Sequence, residues 1–256
     1  MEKLFKKLLL SFFLLLASCD GGSGGGSNKT FNSAWTPQFS NIVQYWAMGN
    51  SSLSNGSVFF ADLGFNGTVA NTNNSGMVAT AGQVGFAVQF DGIDDHVVLP
   101  YYVNNNLNHF SVVMWVKITD GSGDRGLLTS RDDSPAKGYA LYLNSSNEAE
   151  AMLGQGTGAG AWATVTGTPI LSNVWTHIAF TYDGTSLKLY KNGSLEGTSV
   201  ASYVTNTTKP LYIGAGRTES SPSAGDFFTG VLDEVAIWQS VLSDSDVQTI
   251  YNNQAF

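Results

Sequence analysis

The chain has 256 residues, of which 43% are hydrophobic and 12% aromatic, too much apolar material for a disordered polymer and enough for one large β domain. Its formal charge is −8, from 12 basic and 20 acidic residues, a balance that argues against nucleic acid or an anionic bilayer as the binding surface and suits cations or neutral partners. A single cysteine, Cys19, excludes an intrachain disulfide.

The first residues read as an export signal. Met1 to Lys7 carries three lysines, Leu8 to Leu16 is an apolar run too short to span a bilayer, and the small residues Ala17-Ser18 follow. Leu16-Ala17-Ser18-Cys19 resembles the lipobox of bacterial lipoproteins. That resemblance implies cleavage after residue 18 and a diacylated Cys19, anchored by acyl chains at ~0.8 kcal/mol per buried CH₂. Removal of Glu2, Lys3, Lys6 and Lys7 leaves nine of the 12 basic and nineteen of the 20 acidic residues, a net charge of −10. Asp20 to Lys29, DGGSGGGSNK, is a Gly/Ser tether with an expected end-to-end distance of roughly 15–20 Å. Asp20 itself resembles the inner-membrane retention signal of enteric bacteria, but other lineages read other positions, so the leaflet stays open. The expected organisation is a signal peptide over 1–18, a lipidated cysteine, tether and lead-in over 19–41, and one domain over 42–256.

Ile42 to Met48 is a short apolar and aromatic run that predicts a strand, and Ala61 to Thr68, ADLGFNGT, has turn composition. FAVQF and HVVLP, within Gly85 to Pro100, read as two strands joined by a turn at Asp91-Gly92-Ile93-Asp94-Asp95. Phe110 to Ile118 is apolar at nearly every position, which predicts burial on both faces. Strands are further expected at Leu127 to Ser130, Tyr139 to Leu143, Ala149 to Leu153 and after Trp162. Trp175 to Tyr182 and Ser186 to Lys191 form the best-specified hairpin, turning at Asp183-Gly184-Thr185, and Asn192-Gly193 gives a second tight turn. Two turns about ten residues apart make an antiparallel meander, because parallel neighbours need a long crossover. Leu195 to Ser199, Pro210 to Gly214 and Val231 to Trp238 complete the strands. Asp244 to Asn252 is the one convincing helix, with Ser243 and Asp246 as a capping box and Val247, Ile250 and Tyr251 on one face.

This pattern predicts an all-β, two-sheet antiparallel sandwich or jelly roll with one short C-terminal helix. Six local motifs appear in order: Tyr45-Trp46-Ala47-Met48, Phe90-Asp91-Gly92 with Asp95 and Val97-Val98, Phe110-Ser111 to Trp115-Val116-Lys117, Trp175-Thr176-His177-Ile178-Ala179, Leu189-Tyr190-Lys191-Asn192-Gly193, and Gly230-Val231-Leu232-Asp233-Glu234-Val235. Together they resemble the laminin-G-like, concanavalin A-like jelly-roll domains of bacterial surface proteins, over roughly Ile42 to Asn252. The resemblance implies a structural calcium site where the early loop meets the last strand, at Asp62 and Asp233, with turn carbonyls near Phe65 to Gly67. The family's usual acidic residue after the first tryptophan motif is replaced here by Gly49-Asn50.

Other candidates follow from residue type. Asp91, Asp94 and Asp95 form a second acidic cluster, an alternative place for a metal, but three acids in a hairpin turn are expected to be solvated. Flat aromatic rings stack on the apolar faces of sugars, which makes Trp162, among small neighbours, the first platform, and Tyr101 and Tyr102 the next. Trp46, Trp115, Trp175 and Trp238 are expected in the core. Polysaccharide-cleaving jelly rolls carry spaced carboxylates on a strand face; Glu148 and Glu150 have suitable spacing, but their segment reads as a solvated turn entering a strand. Trp175-Thr176-His177 matches the structural pattern of the family it resembles, and that resemblance implies that His177 is packed rather than catalytic. The expected function is therefore a non-catalytic, lipid-anchored binding or adhesion module on the bacterial envelope, recognising a glycan or a surface protein. The alternatives are a glycan-cleaving enzyme on the same fold and an envelope structural or assembly protein.

Overall fold

The computed structural model describes residues 36–50, 53–70, 77–103, 107–119, 122–217 and 224–253. Cys19, the tether and the export signal lie outside them. In chain order the strands are β1 (Ile42–Trp46), β2 (Val58–Phe59), β3 (Gly67–Ala70), β4 (Val78–Ala81), β5 (Phe86–Asp91), β6 (His96–Leu99), β7 (Phe110–Ile118), β8 (Arg125–Asp133) and β9 (Ala136–Leu143). They continue with β10 (Glu148–Gly154), β11 (Trp162–Pro169), β12 (Thr176–Tyr182), β13 (Ser186–Lys191), β14 (Ser194–Val200), β15 (Leu211–Ile213), β16 (Gly216–Arg217), β17 (Ala224–Gly225) and β18 (Thr229–Trp238). One helix, α1 (Asp244–Asn253), closes the described chain.

Two antiparallel sheets result. The first runs β14-β13-β12-β7-β18-β5-β4, with β1 also paired to β18; the second runs β11-β10-β9-β8-β15-β6-β3-β2. The alternating inward residues of both sheets meet in one core, including Val112, Met114, Phe180, Leu189, Leu232 and Ile237 from the first and Leu128, Tyr139, Leu141, Leu153, Val97 and Ile213 from the second. Each such side chain contributes ~1.5–3 kcal/mol by leaving water. This is the jelly-roll sandwich that the strand spacing predicts.

The β12–β13–β14 meander forms as expected, with Phe180 opposite Leu189 and Leu187 opposite Ser199. Asp183 makes the first turn by accepting the Thr185 and Ser186 N–H groups. β7 is buried on both faces for two different reasons. Phe110, Val112, Met114, Val116 and Ile118 enter the main core, whereas Val113 enters a second cluster with Ala179, Tyr190, Ala236 and Trp238 beneath Val247 and Ile250 of α1. The helix begins as its capping box dictates: Asp246 N–H donates to Ser243 Oγ (3.1 Å) and Ser243 N–H to Asp246 Oδ2 (2.9 Å).

Three expectations need correction. β5 and β6 belong to different sheets, so Asp91 to Asp95 is a crossover between layers and not a hairpin turn. Asp95 is accordingly fully buried and not solvated. Trp175 precedes β12 and is half-buried, with the Lys117 ammonium 4.9 Å from its ring, whereas Trp46, Trp115 and Trp238 are buried as expected. The short strands β2, β3, β4, β16 and β17 have no counterpart among the sequence expectations, because two to four residues carry too little periodicity to be read, and β3 begins inside the segment Ala61 to Thr68 that its composition marks as a turn.

Candidate ligand-binding face and carboxylate network

The outer face of the second sheet carries the platform. Strand alternation sends Ala163 and Val165 of β11 into the core and leaves Trp162, Thr164 and Thr166 outside. Gly154 stands opposite Trp162 and Gly138 opposite Arg131, so no side chain from these positions separates ring from guanidinium. Arg131 therefore reaches across, its guanidinium carbon 5.5 Å from the Trp162 ring centroid and 5.3 Å from that of Tyr142. Arg131 also pairs with Asp133 at 3.3 Å, and the Tyr142 hydroxyl donates to Asp226 Oδ2 at 3.3 Å. The next row across the sheet is Thr164, Met152, Ala140, Thr129 and Tyr212. The row beyond that brings Thr166, Glu150 and Tyr142 together, with Thr166 Oγ1 donating to Glu150 at 3.3 Å.

This face offers a flat ring held by a cation, an adaptable methionine, hydroxyls and a carboxylate. Such a set can stack against an apolar surface and satisfy hydroxyl or amide groups around it. Glu148 and Glu150 share one partner: the Asn144 amide donates to both, at 2.9 and 3.0 Å. They are half-buried, which corrects the solvated reading.

A second constellation joins β1 and the loop after it to the last strand. A β-bulge interrupts the β18–β7 ladder between Asp233, opposite Trp115, and Ala236, opposite Val113. Glu234 takes up the extra residue with φ +50°, a conformation that costs a non-glycine residue ~1–3 kcal/mol. Asp233 and Glu234 are both fully buried. Asp233 Oδ2 accepts the Val84 N–H (2.9 Å) and Oδ1 the Glu234 N–H (3.0 Å). Gly82 is required beside it, since a Cβ there would sit 2.4 Å from Asp233 Oδ2. The Tyr45 hydroxyl donates to Glu234 Oε2 at 2.6 Å. Burial holds that phenol far above its usual range, reinforced by the charge of Glu234 and then by Asp62 and Asp233. Asp62 accepts the Ala47 N–H at 2.7 Å. Its loop is tied to β1 by the Tyr45–Leu63 bridge.

A laminin-G-type family model, described as the concanavalin A-like lectin/glucanases superfamily, matches residues 91–248. The chain belongs to that superfamily. No curated protein matches this concanavalin A-like chain. Solved structures agree on the fold. The binding domain of Paraclostridial Mosquitocidal Protein 1 superposes with a TM-score of 0.66 at 14% identity, over 84% of this chain and 52% of that one. Domain 4 of AbnA, a GH43 extracellular arabinanase from Geobacillus stearothermophilus solved with arabinotriose, gives 0.60 at 21% identity, over 82% of this chain and 98% of that one. The binding domain of botulinum neurotoxin DC in complex with rat synaptotagmin II gives 0.61 at 14% identity, over 85% and 52%. The chain thus spans about half the length of the toxin binding domains and nearly all of the arabinanase domain.

The candidate residues of this concanavalin A-like domain fall in separate places. Trp162 stands on the edge strand of the second sheet. Tyr101 and Tyr102 follow β6, five strand steps away, or ~24 Å at about 4.8 Å per strand. Tyr102 instead pairs with exposed Phe65, their ring centroids 4.0 Å apart. Asp62 and Asp233 both act on Tyr45. Among the described residues, however, the only three carboxylates that come within 4.8 Å of one another are Asp91, Asp94 and Asp95. The oxygens of Asp62 and Asp233 accept backbone N–H groups, from Ala47 and from Val84 and Glu234 respectively. Sequence reasoning missed Arg131, Tyr142 and Glu234. Two adjacent acids within the apolar run GVLDEVAIW were the available signal for Glu234; Arg131 carried none, because its partners come from other strands.

Proposed function

We propose that this protein is a non-catalytic, lipid-anchored binding module of the bacterial envelope that recognises a glycan or a surface protein through the outer face of its second sheet. The observation that carries the reading is the Trp162 ring on an edge strand, held by Arg131, which is itself stacked on Tyr142. Stacking fixes the ring, and a ring already fixed loses little freedom on binding. Thr164, Thr166, Glu150 and Met152 supply polar and adaptable partners beside it. The AbnA domain solved with arabinotriose and the toxin domain solved with synaptotagmin support a glycan or protein as the partner class. Anchoring through Cys19 rests on the lipobox, and Asp62 and Asp233 would hold a structural calcium.

The test is a glycan array probed with wild type and with Trp162→Ala. A hit in wild type that Trp162→Ala weakens tenfold or more is the expected result. Binding that survives the substitution would move the site elsewhere. One observation favours an alternative, cleavage of glycans: Asn144 gathers Glu148 and Glu150 on the same face. Reducing ends released from an array ligand by wild type but not by Glu150→Gln would establish it.

A further inference from the structure

We propose a cation site, separate from Asp62 and Asp233, at the crossover between the two sheets, where Asp91, Asp94 and Asp95 bind calcium. The chain leaves β5 in the first sheet and joins β6 in the second within these few residues. One oxygen from each of the three carboxylates lies within 4.8 Å of the other two. Calcium binds oxygen at roughly 2.3–2.6 Å, so two ligands of one ion stand at most about 5 Å apart. The three oxygens meet that limit together.

Turn chemistry explains Asp91 but not Asp95. Asp91 Oδ1 accepts the Ile93 N–H (2.8 Å) and the Asp94 N–H (3.4 Å), the ordinary work of an Asx residue. Asp95 is 0% exposed. Its Oδ2 accepts the Asp91 N–H at 2.9 Å, and its Oδ1 is buried with no hydrogen-bond partner. Among the described residues no basic side chain pairs with Asp95. An asparagine would serve the Asp91 N–H equally well, so the turn alone does not call for an acid. A buried carboxylate oxygen with two acidic neighbours and no donor is satisfied by a cation.

The donor set selects the metal. The nearby imidazole, His96, directs Nδ1 at the Asp94 carbonyl oxygen (2.8 Å), and its ring packs against Tyr212 and Phe227 at 5.5 Å each. The remaining ligands are therefore oxygens, the preference of calcium and not of zinc. Bound there, the ion would pin β5 to β6 and steady His96 beside Tyr212 on the outer face of the second sheet.

Calorimetric titration of the metal-stripped full chain with calcium chloride tests the site, using wild type, Asp95→Asn, Asp94→Asn and the double variant Asp62→Asn/Asp233→Asn. The double variant should keep one calcium equivalent, and Asp95→Asn and Asp94→Asn should each weaken that equivalent tenfold or more. Calcium binding by Asp95→Asn and Asp94→Asn that matches wild type overturns the proposal, as does a double variant that binds no calcium. If Asp95→Asn does not fold, half-buried Asp94 decides the matter alone.

Discussion

His177 shows what a single side chain can do when nothing answers it. Its ring lies between Trp115, at 5.2 Å, and Tyr251 of α1, at 5.9 Å, and neither ring nitrogen has a hydrogen-bond partner. Burial alone pushes its pKa down to about 3, against an ordinary 6.5. The unfolded chain therefore takes up a proton between those values that the folded chain refuses. Stability then falls as pH drops through that window, by up to ~1.4 kcal/mol per pH unit. Urea unfolding at pH 7 and pH 5, above the range where most carboxylates titrate, should show a loss in wild type that His177→Phe largely removes. Equal losses in both proteins would assign the acid sensitivity to other groups. His177 is packed under the helix as expected, and Asn192 Oδ1 accepts its backbone N–H at 2.9 Å.

Among the elements, β18 carries the most information per residue. Its bulge lets Asp233 reach the β4–β5 turn through Val84 while Glu234 meets Tyr45 of β1. A cation held by Asp62 and Asp233 would therefore tie the early loop to the last strand. At a hundred times its dissociation constant, a ligand specific to the folded state adds about 2.7 kcal/mol, or on the order of 5 °C in a domain of this size. Melting curves in chelator and in millimolar calcium should show that rise in wild type and lose most of it in Asp62→Asn and in Asp233→Asn. The same rise in all three proteins would exclude these residues.

The long strands and the helix were legible because their periods and caps are local: β7, the β12–β13 hairpin and α1 need only neighbouring residues to be specified. What lay beyond reach was relational. Nothing within FDGIDDHVVLP says that its two strands enter different sheets, and so nothing says that Asp95 is buried. Arg131 came into the site only once two glycines on intervening strands cleared its way to Trp162. Glu234 lies within the motif Gly230 to Val235, yet its importance depends on a left-handed backbone that no residue type announces.

At the scale of the whole molecule, the two sheets are dressed differently. Helix α1 covers part of the outer face of the first sheet over Val113, Ala179 and Ala236, while Thr164 and Thr166 on the outer face of the second remain exposed. The described chain begins on the helix side: the Trp238 indole donates to the Pro37 carbonyl (3.2 Å), and the Gln38 amide donates to Val241 O and Asp246 Oδ2, both at 3.0 Å. An N-terminal lipid tether would hold the domain from this side. Cys19→Ala should release the protein from the membrane fraction or leave it unprocessed; wild-type fractionation and migration would defeat the lipoprotein reading.

The placement of β1 has a mechanical consequence. Among the described residues β18 is the one strand that pairs with it in a ladder, while on its other side stand the Tyr45–Leu63 bridge and the Phe65 N–H donated to Gln44 Oε1. Traction on a tethered N-terminus, as when a bound partner is dragged by flow, would be delivered first to the Pro37 and Gln38 contacts and then to Ile42. Under such a tether β1 would bear the load first. Because Trp46, its last residue, and Met48 just beyond it lie in the core, peeling that one short strand would open the sandwich from its N-terminal side while the Trp162 face still held its partner.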